Sequence, residues 1–414
     1  MTRLNISRRI FLAYCSSVHF LIHFTILAIP VLVLYINEKS SGFSLDSTKA
    51  LAYMGIMLLL YGGGGVLTGF AADKAGSLLI ILAGEAIALL SSAAMFFISA
   101  EWQFVLLTSA LGLSSSFYHP AGMSLIANLF SSKEDGKAYG FHGAAGSVAD
   151  TAAPLITAFL AEIFTWKAVF VLIGAINLIL IVTTLWLISK FGTMSADGVM
   201  QRRSNCHDAG KQEESIKRSS EHSNALNSAL TSSYLISVAG ILILTALNGM
   251  GNRGFTSSLP TFMQSYWGLE NHEAAALLSI LQFSGIFFQL AGGWIKSRYS
   301  PAELIAVSCA GSAFSCTVLA FVKSNILFVS AAILYGFFFY IGQPAVNSMV
   351  GRCVSPEHRG LIFGLSFFTR DGMGFFSLLA ISYFATFSDA YMAILPAIFF
   401  AMGSLVVMFY RNSE

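Results

Sequence analysis

A small set of histidine, acidic and arginine side chains stands inside long apolar stretches of this chain: His19, His23, Glu85, His119, His142, Asp150, Arg253, Arg370 and Asp371. Charge in hydrocarbon is costly enough that such residues count as functional candidates by default. Imidazole and carboxylate can gain and lose protons in place, and guanidinium matches carboxylate or phosphate groups. His19 and His23, four positions apart, share one helix face. His23 lies about thirteen residues into its stretch, roughly 20 Å along a helix that rises 1.5 Å per residue. Asp150 precedes Pro154 by one turn, where a helix can bend.

Each residue also has a structural reading. The histidines can be hydrogen-bonded glue between helices, and Arg253 can snorkel to the outer interface. Glu85 can pair with a bundle neighbour. Arg370 and Asp371 point about 100° apart on a helix, so they are expected to pair with other spans or line a pathway rather than neutralise each other fully. His142, close to the end of its stretch, suits a gate or interface. Ser114, Ser115 and Ser116 near His119, with Asp150, raise the alternative of an intramembrane hydrolase or acyltransferase. That chemistry needs a serine within hydrogen-bond reach of His119. The serines instead sit in a small-residue packing stretch before Pro120, with no recognisable oxyanion element, so no enzyme is expected. A transporter-shaped receptor or sensor is a further alternative.

What positions these groups is a chain that is 56% hydrophobic and 11% charged, against roughly 25% charged in ordinary soluble domains. Mean hydropathy is +0.71. The net charge of +2 argues against nucleic-acid binding. Five cysteines without CxxC spacing indicate neither a disulfide framework nor a thiolate metal site, and no metal is expected. No G-x-x-x-x-G-K-[ST] segment is present, which excludes P-loop nucleotide hydrolysis. No cofactor is expected, and an ion gradient is left as the energy source, with protons more plausible than sodium.

At roughly 20 residues per crossing, the apolar stretches are 10–36, 51–72, 78–99, 103–127, 138–162, 166–189, 233–259, 273–295, 302–322, 325–349, 361–386 and 389–410. The fold expected is an all-α polytopic membrane protein with twelve transmembrane helices in two six-helix bundles, 1–189 and 233–414. The polar segment 190–232 reads as a solvated cytoplasmic linker, although its Cys206, His207 and His222 could in principle touch a metal. Lys/Arg bias across the short loops places both termini and the linker in the cytoplasm, in a bacterial inner membrane. Arg3, Arg8 and Arg9 precede an apolar run too long for a signal h-region of about 7–15 residues, so the first stretch is expected to be uncleaved. A site enclosed by two bundles of one chain makes a monomer the default.

Between the second and third spans stands Gly69-Phe-Ala-Ala-Asp73-Lys74-Ala-Gly76. This G-x-x-x-D-[RK]-x-G pattern, in this loop, resembles the signature of the major facilitator superfamily. By resemblance, Asp73 would dock near Gly360 when the cytoplasmic side is closed. The equivalent Gly292-Gly-Trp-Ile-Lys296-Ser-Arg298 has lysine where the acid should be. His19-Phe-Leu-Ile-His23 with Pro30, Tyr118-His119-Pro120, Gly140-Phe-His142-Gly-Ala-Ala-Gly146 with Pro154, Gln343-Pro344 and Arg359-Gly360 look like the fosmidomycin-resistance-like group, with histidine at 23 where that group usually carries an acid.

The resemblance implies that spans one, four, seven and ten line a central cavity. His19, His23, His119, Asn248, Arg253, Tyr340 and Gln343, with Arg370 from span eleven, become substrate-pocket candidates. Asp150, His23 and Asp371 become proton-coupling candidates, and Gly69, Asp73, Lys74 and Gly76 the gate motif. The function expected is alternating-access transport of a small organic anion or amphiphilic compound, by proton-coupled efflux. Proton-coupled uptake of an anionic metabolite or siderophore would need no different motif.

Overall fold

The computed structural model describes residues 3–36, 43–130, 135–193, 232–295, 299–352 and 364–411. They form α1 (Arg3–Ile36), α2 (Ser47–Ala75), α3 (Ser77–Met95), α4 (Glu101–Ser116), α5 (His119–Leu129), α6 (Asp135–Ile163) and α7 (Ala168–Phe191) in the first half. The second half has α8 (Ser232–Trp267), α9 (Asn271–Ile295), α10 (Pro301–Phe321), α11 (Asn325–Arg352), a π turn (Phe368–Gly372) leading into α12 (Gly374–Ala385), and α13 (Tyr391–Arg411). Because α4 and α5 are two pieces of one crossing, the described helices make twelve spans, six in each half. Cys206, His207, His222, Lys296, Arg298, Arg359 and Gly360 lie outside the described residues, as does the side chain of Asp73.

Among the described residues, eight helices are each long and apolar enough to cross a membrane, and the fourth, seventh, eighth and eleventh spans fall outside that set. Those four include the span broken at Pro120 and the spans that hold Asn248, Arg253, Gln282, Arg370 and Asp371. In α1, 83% of the most apolar window is buried, against 39% in α3, α6 and α7. The first span is therefore interior, while the others turn Leu90, Phe159 and Ile179 outward to lipid.

Local chemistry sets the boundaries. Asp46 caps α2 by accepting from the Lys49 amide at 2.9 Å and the Thr48 hydroxyl at 2.5 Å. Ser300 and Glu303 form a capping box at the start of α10, with Pro301 in its first turn. The turn from α2 to α3 puts Gly76 at φ +98°, a conformation that side-chain-bearing residues rarely adopt. The last glycine of the loop motif is thus required by backbone geometry. Gly69 abuts Pro120, where an added Cβ would lie 3.2 Å from the proline Cβ. Lys74 extends over the Phe70 ring at 4.3 Å.

The break in span four follows from Pro120, which has no N–H to offer the carbonyl of Ser116. The Thr68 hydroxyl of α2 donates to that carbonyl at 2.8 Å instead, so a neighbouring helix satisfies the freed group.

The glycine run of α2 is a packing surface between the halves. A Cβ on Gly62 would come within 2.6 Å of the Gly372 Cα, and one on Gly63 would touch the Phe368 ring at 3.5 Å. Polar contacts join the halves at the end opposite the termini. Ser382 donates to the Thr48 carbonyl at 2.6 Å, Asn271 donates to the Leu34 carbonyl at 3.3 Å, and His272 Nδ1 lies 3.5 Å from Glu162 Oε1. Toward the termini, a Cβ on Gly143 or Gly364 would meet no heavy atom within 4 Å.

Candidate functional site

Three spans of the first half bring four histidines together. His19 and His23 come from α1, His119 from the first position of α5, and His142 from α6. Ring centroids are 3.9 Å apart for the stacked His19 and His142, 4.4 Å for His19 and His23, 5.3 Å for His19 and His119 and 6.1 Å for His23 and His119. Gly146 makes room for them, since a Cβ there would lie 2.7 Å from His19 Cε1.

The hydrogen bonds assign ring nitrogens. His19 Nδ1 lies 2.9 Å from the His142 carbonyl, which can only accept, so Nδ1 carries a proton. Tyr118 donates its one hydroxyl proton to the Cys15 carbonyl at 2.5 Å, so His142 Nε2, 2.8 Å away, must donate to the phenol oxygen. His23 Nδ1 faces Asp150 Oδ1 at 3.0 Å, with both side chains about one-fifth exposed (20% and 22%). His119 Nε2 is 2.7 Å from the Tyr61 hydroxyl. One ring nitrogen from each of His19, His23 and His119 lies within 4.8 Å of the others. The sequence spacing shows only the α1 pair; the third histidine arrives by tertiary packing.

The second half contributes a cationic cluster. Asp371, 1% exposed in its side chain, receives Arg253 Nε at 2.6 Å and a further contact from an Arg253 Nη, and it receives Arg370 Nε at 3.0 Å. Arg253 therefore turns inward instead of snorkelling. Asp371 thus pairs with Arg253 of another span, one of the two alternatives the sequence leaves open, and also touches its neighbour Arg370 directly. Two cations on one anion leave a net positive charge, and Arg370 is the more open of the two, its side chain 37% exposed against 15% for Arg253.

Tyr61 and Phe367 link the two clusters. Tyr61 bonds His119 and lies under the Arg253 guanidinium at 5.9 Å. Phe367 packs 4.5 Å from His119 and carries the Arg370 guanidinium at 5.6 Å. Neither aromatic stands out in the sequence, where Tyr61 reads only as the head of a glycine run.

Other expected pocket residues have neighbours of their own. Asn248 Oδ1 accepts from Gln343 at 3.3 Å and its Nδ2 reaches Cys309 Sγ at 3.6 Å, while Tyr340 donates to Gln282 at 2.5 Å. His142 is 4% exposed and stacked against His19 at the interface between α6 and α1. Glu85 does pair with bundle neighbours: Tyr14 at 3.1 Å and Thr184 at 2.7 Å. Ser114, Ser115 and Ser116 donate to the carbonyls of Leu111 and Leu113, at 2.7–2.9 Å. None of these bonds presents a serine nucleophile to His119, whose Nε2 is at Tyr61.

A family model described as the Major Facilitator Superfamily matches residues 12–378. A probable L-galactonate transporter of Escherichia coli (strain K12) is 27% identical over 136 residues, which are 33% of this chain and 30% of that protein. The match thus spans under a third of that relative's length. Among solved structures, a POT family transporter in complex with a thioalcohol-conjugated peptide superposes with a TM-score of 0.78 at 11% identity, covering 97% of this chain and 96% of the other. A bacterial homologue of the human lysosomal transporter Spinster, inward-facing and occupied, gives 0.72 at 15% identity, covering 97% and 96%. The xylose transporter XylE from E. coli, partially occluded and inward open, gives 0.71 at 13% identity, covering 98% and 99%. These likenesses concern the fold, and neither the family model nor the curated relative narrows the chain to the fosmidomycin-resistance-like group.

Proposed function

The chain belongs to the Major Facilitator Superfamily, and on that premise we propose that this membrane transporter carries a small organic anion by proton-coupled alternating access. The observation that carries the reading is the Arg253–Asp371–Arg370 cluster: it is net positive, meets the first half where Arg253 lies over the Tyr61 ring, and has a partly exposed guanidinium. Such a group suits a carboxylate through charge-assisted hydrogen bonds. The curated relative is named for galactonate, a hydroxy carboxylate, which supports the same cargo class.

Arg370 anchors the cargo, with Arg253 behind it. Asp371 holds both arginines in place: protonating it would leave two cations unpaired, so we assign it to positioning and not to proton carriage. Coupling falls to His23 and Asp150, a directly bonded pair open enough to exchange protons with the space between the halves. With the termini taken as cytoplasmic, we read the polar contacts at the opposite end as an outer closure, which makes this an inward-facing form. Export is the direction we take from the motif resemblance, and uptake is the alternative those motifs equally permit.

Proteoliposomes under an imposed pH gradient test this, with a panel of hydroxy carboxylates, siderophores and amphiphilic compounds as candidate cargo. The expected result is compound-dependent proton flux that is lost in Asp150→Asn and, for anions, in Arg370→Gln. Compound movement without proton flux would overturn the coupling assignment. Flux of neutral compounds that is indifferent to Arg370→Gln would overturn the anion assignment. The gradient polarity that drives accumulation decides the direction.

A further inference from the structure

We propose that His19, His23 and His119 form a binding site for a divalent late first-row transition-metal ion, and that the anion carried is its chelate. The metal is cargo here, and the proposal rests on the anion reading of the cavity. Three spans present one ring nitrogen each within a 4.8 Å circle. Imidazole is the ligand that suits zinc, copper, nickel and cobalt.

The outer partners resemble those of metal sites. A metal-bound histidine almost always donates its other nitrogen to a carboxylate or a backbone carbonyl, which fixes the ring. His23 has Nδ1 on Asp150 and His19 has Nδ1 on the His142 carbonyl, so each keeps Nε2 for a ligand. His119 Nε2 faces the Tyr61 hydroxyl at 2.7 Å, and in the tautomer where Nε2 donates to that oxygen, Nδ1 is left for a ligand. Metal–nitrogen bonds of about 2.0–2.1 Å require tetrahedral ligands about 3.3 Å apart, so the rings draw inward on loading.

Three protein ligands leave a position open for an external group. Charge selects that group. With the imidazoles neutral, Arg253 and Arg370 balance Asp371 and Asp150, and a bare divalent ion would add two uncompensated positive charges to a site of low dielectric. A cargo that brings carboxylates with the metal removes that cost. Tyr61 and Phe367 touch both clusters, so a small chelate can meet the histidines at its metal end and Arg370 at a carboxylate.

The test uses tag-free purified protein titrated with Co²⁺ alone, citrate alone, and both. Wild type is expected to take one Co²⁺ per chain with the visible band of imidazole-bound cobalt, and citrate is expected to tighten it about tenfold or more. His23→Gln and His119→Gln should abolish the band, and Asp150→Asn should weaken binding about 10–100-fold, as outer partners of metal ligands do. Arg370→Gln should lose the citrate effect and keep Co²⁺. X-ray absorption on Co²⁺-loaded wild type, which needs no variant, should count three imidazoles; one or none overturns the site. Citrate binding with Co²⁺ no tighter than in the triple His19→Gln/His23→Gln/His119→Gln variant overturns the metal and leaves the anion reading standing. Co²⁺ on the triad with no carboxylate effect overturns the chelate together with the anion reading.

Discussion

Asp371 is a fully buried acid that faces two guanidiniums, and removing it leaves both without their anion. Breaking a buried pair from one side costs about 3–5 kcal/mol, whereas replacing both partners with apolar groups of similar size is often neutral. Asp371→Leu is therefore expected to lower the thermal unfolding midpoint of the purified protein markedly. The Arg253→Met/Asp371→Leu pair should recover much of that loss, although transport should stay lost. At this scale the sequence yields candidates but not partners. Helical spacing puts His19 on the face of His23, yet nothing in the spacing says that His119 and His142 join them from other spans. Arg253 and Asp371 are 118 positions apart, a pairing that only packing creates.

Among the elements, most landmarks are readable because they obey local rules. Proline at 120 announces a broken span, and the glycine at the end of the loop motif announces a turn with positive φ. Asp46 capping α2 gives a pH-dependent prediction. Its hydrogen bonds from the Thr48 hydroxyl and the Lys49 amide hold the carboxyl below its ordinary value. The unfolded chain thus binds the proton more readily, so the cap contributes stability above the ordinary aspartate pKa and loses it as pH falls through the lowered value. Acid should weaken the first turn of α2, read as faster amide exchange at residues 47–50, and Asp46→Ala should erase that dependence at a cost of about 0.5–2 kcal/mol. The π turn is not readable, because it depends on contact between the halves: Gly62 meets Gly372 almost backbone to backbone. A β-branched side chain at 62 should force α2 away from the turn, and Gly62→Val is expected to lower transport by tenfold or more and to destabilise the protein.

For the molecule as a whole, twelve apolar stretches of crossing length gave the architecture, and short-loop charge gave an orientation. Which way the cavity opens was not legible, since every conformation of an alternating-access carrier has the same sequence. The polar contacts that join the halves at one end make the prediction. In cargo-free protein, Thr48→Cys/Ser382→Cys should cross-link readily, and Gly143→Cys should react quickly with a water-soluble maleimide. Transported anion should slow the reaction at 143, and equal reactivity with and without it would contradict the proposed closure around cargo.

The π turn ends in a wide bond, the Met373 amide donating to the Phe368 carbonyl at 3.2 Å, five residues back. Such a bulge is one residue more than an α-helix needs. Deleting a single residue there would restore the regular spiral and rotate all of α12 by about 100°. Ser382 would swing away from Thr48, and Leu378 from Gly55, while the arginine seat lost its shape. The eleventh span should thus tolerate many changes of letter but no change of length, so natural variation in this stretch is expected to consist of substitutions without insertions or deletions.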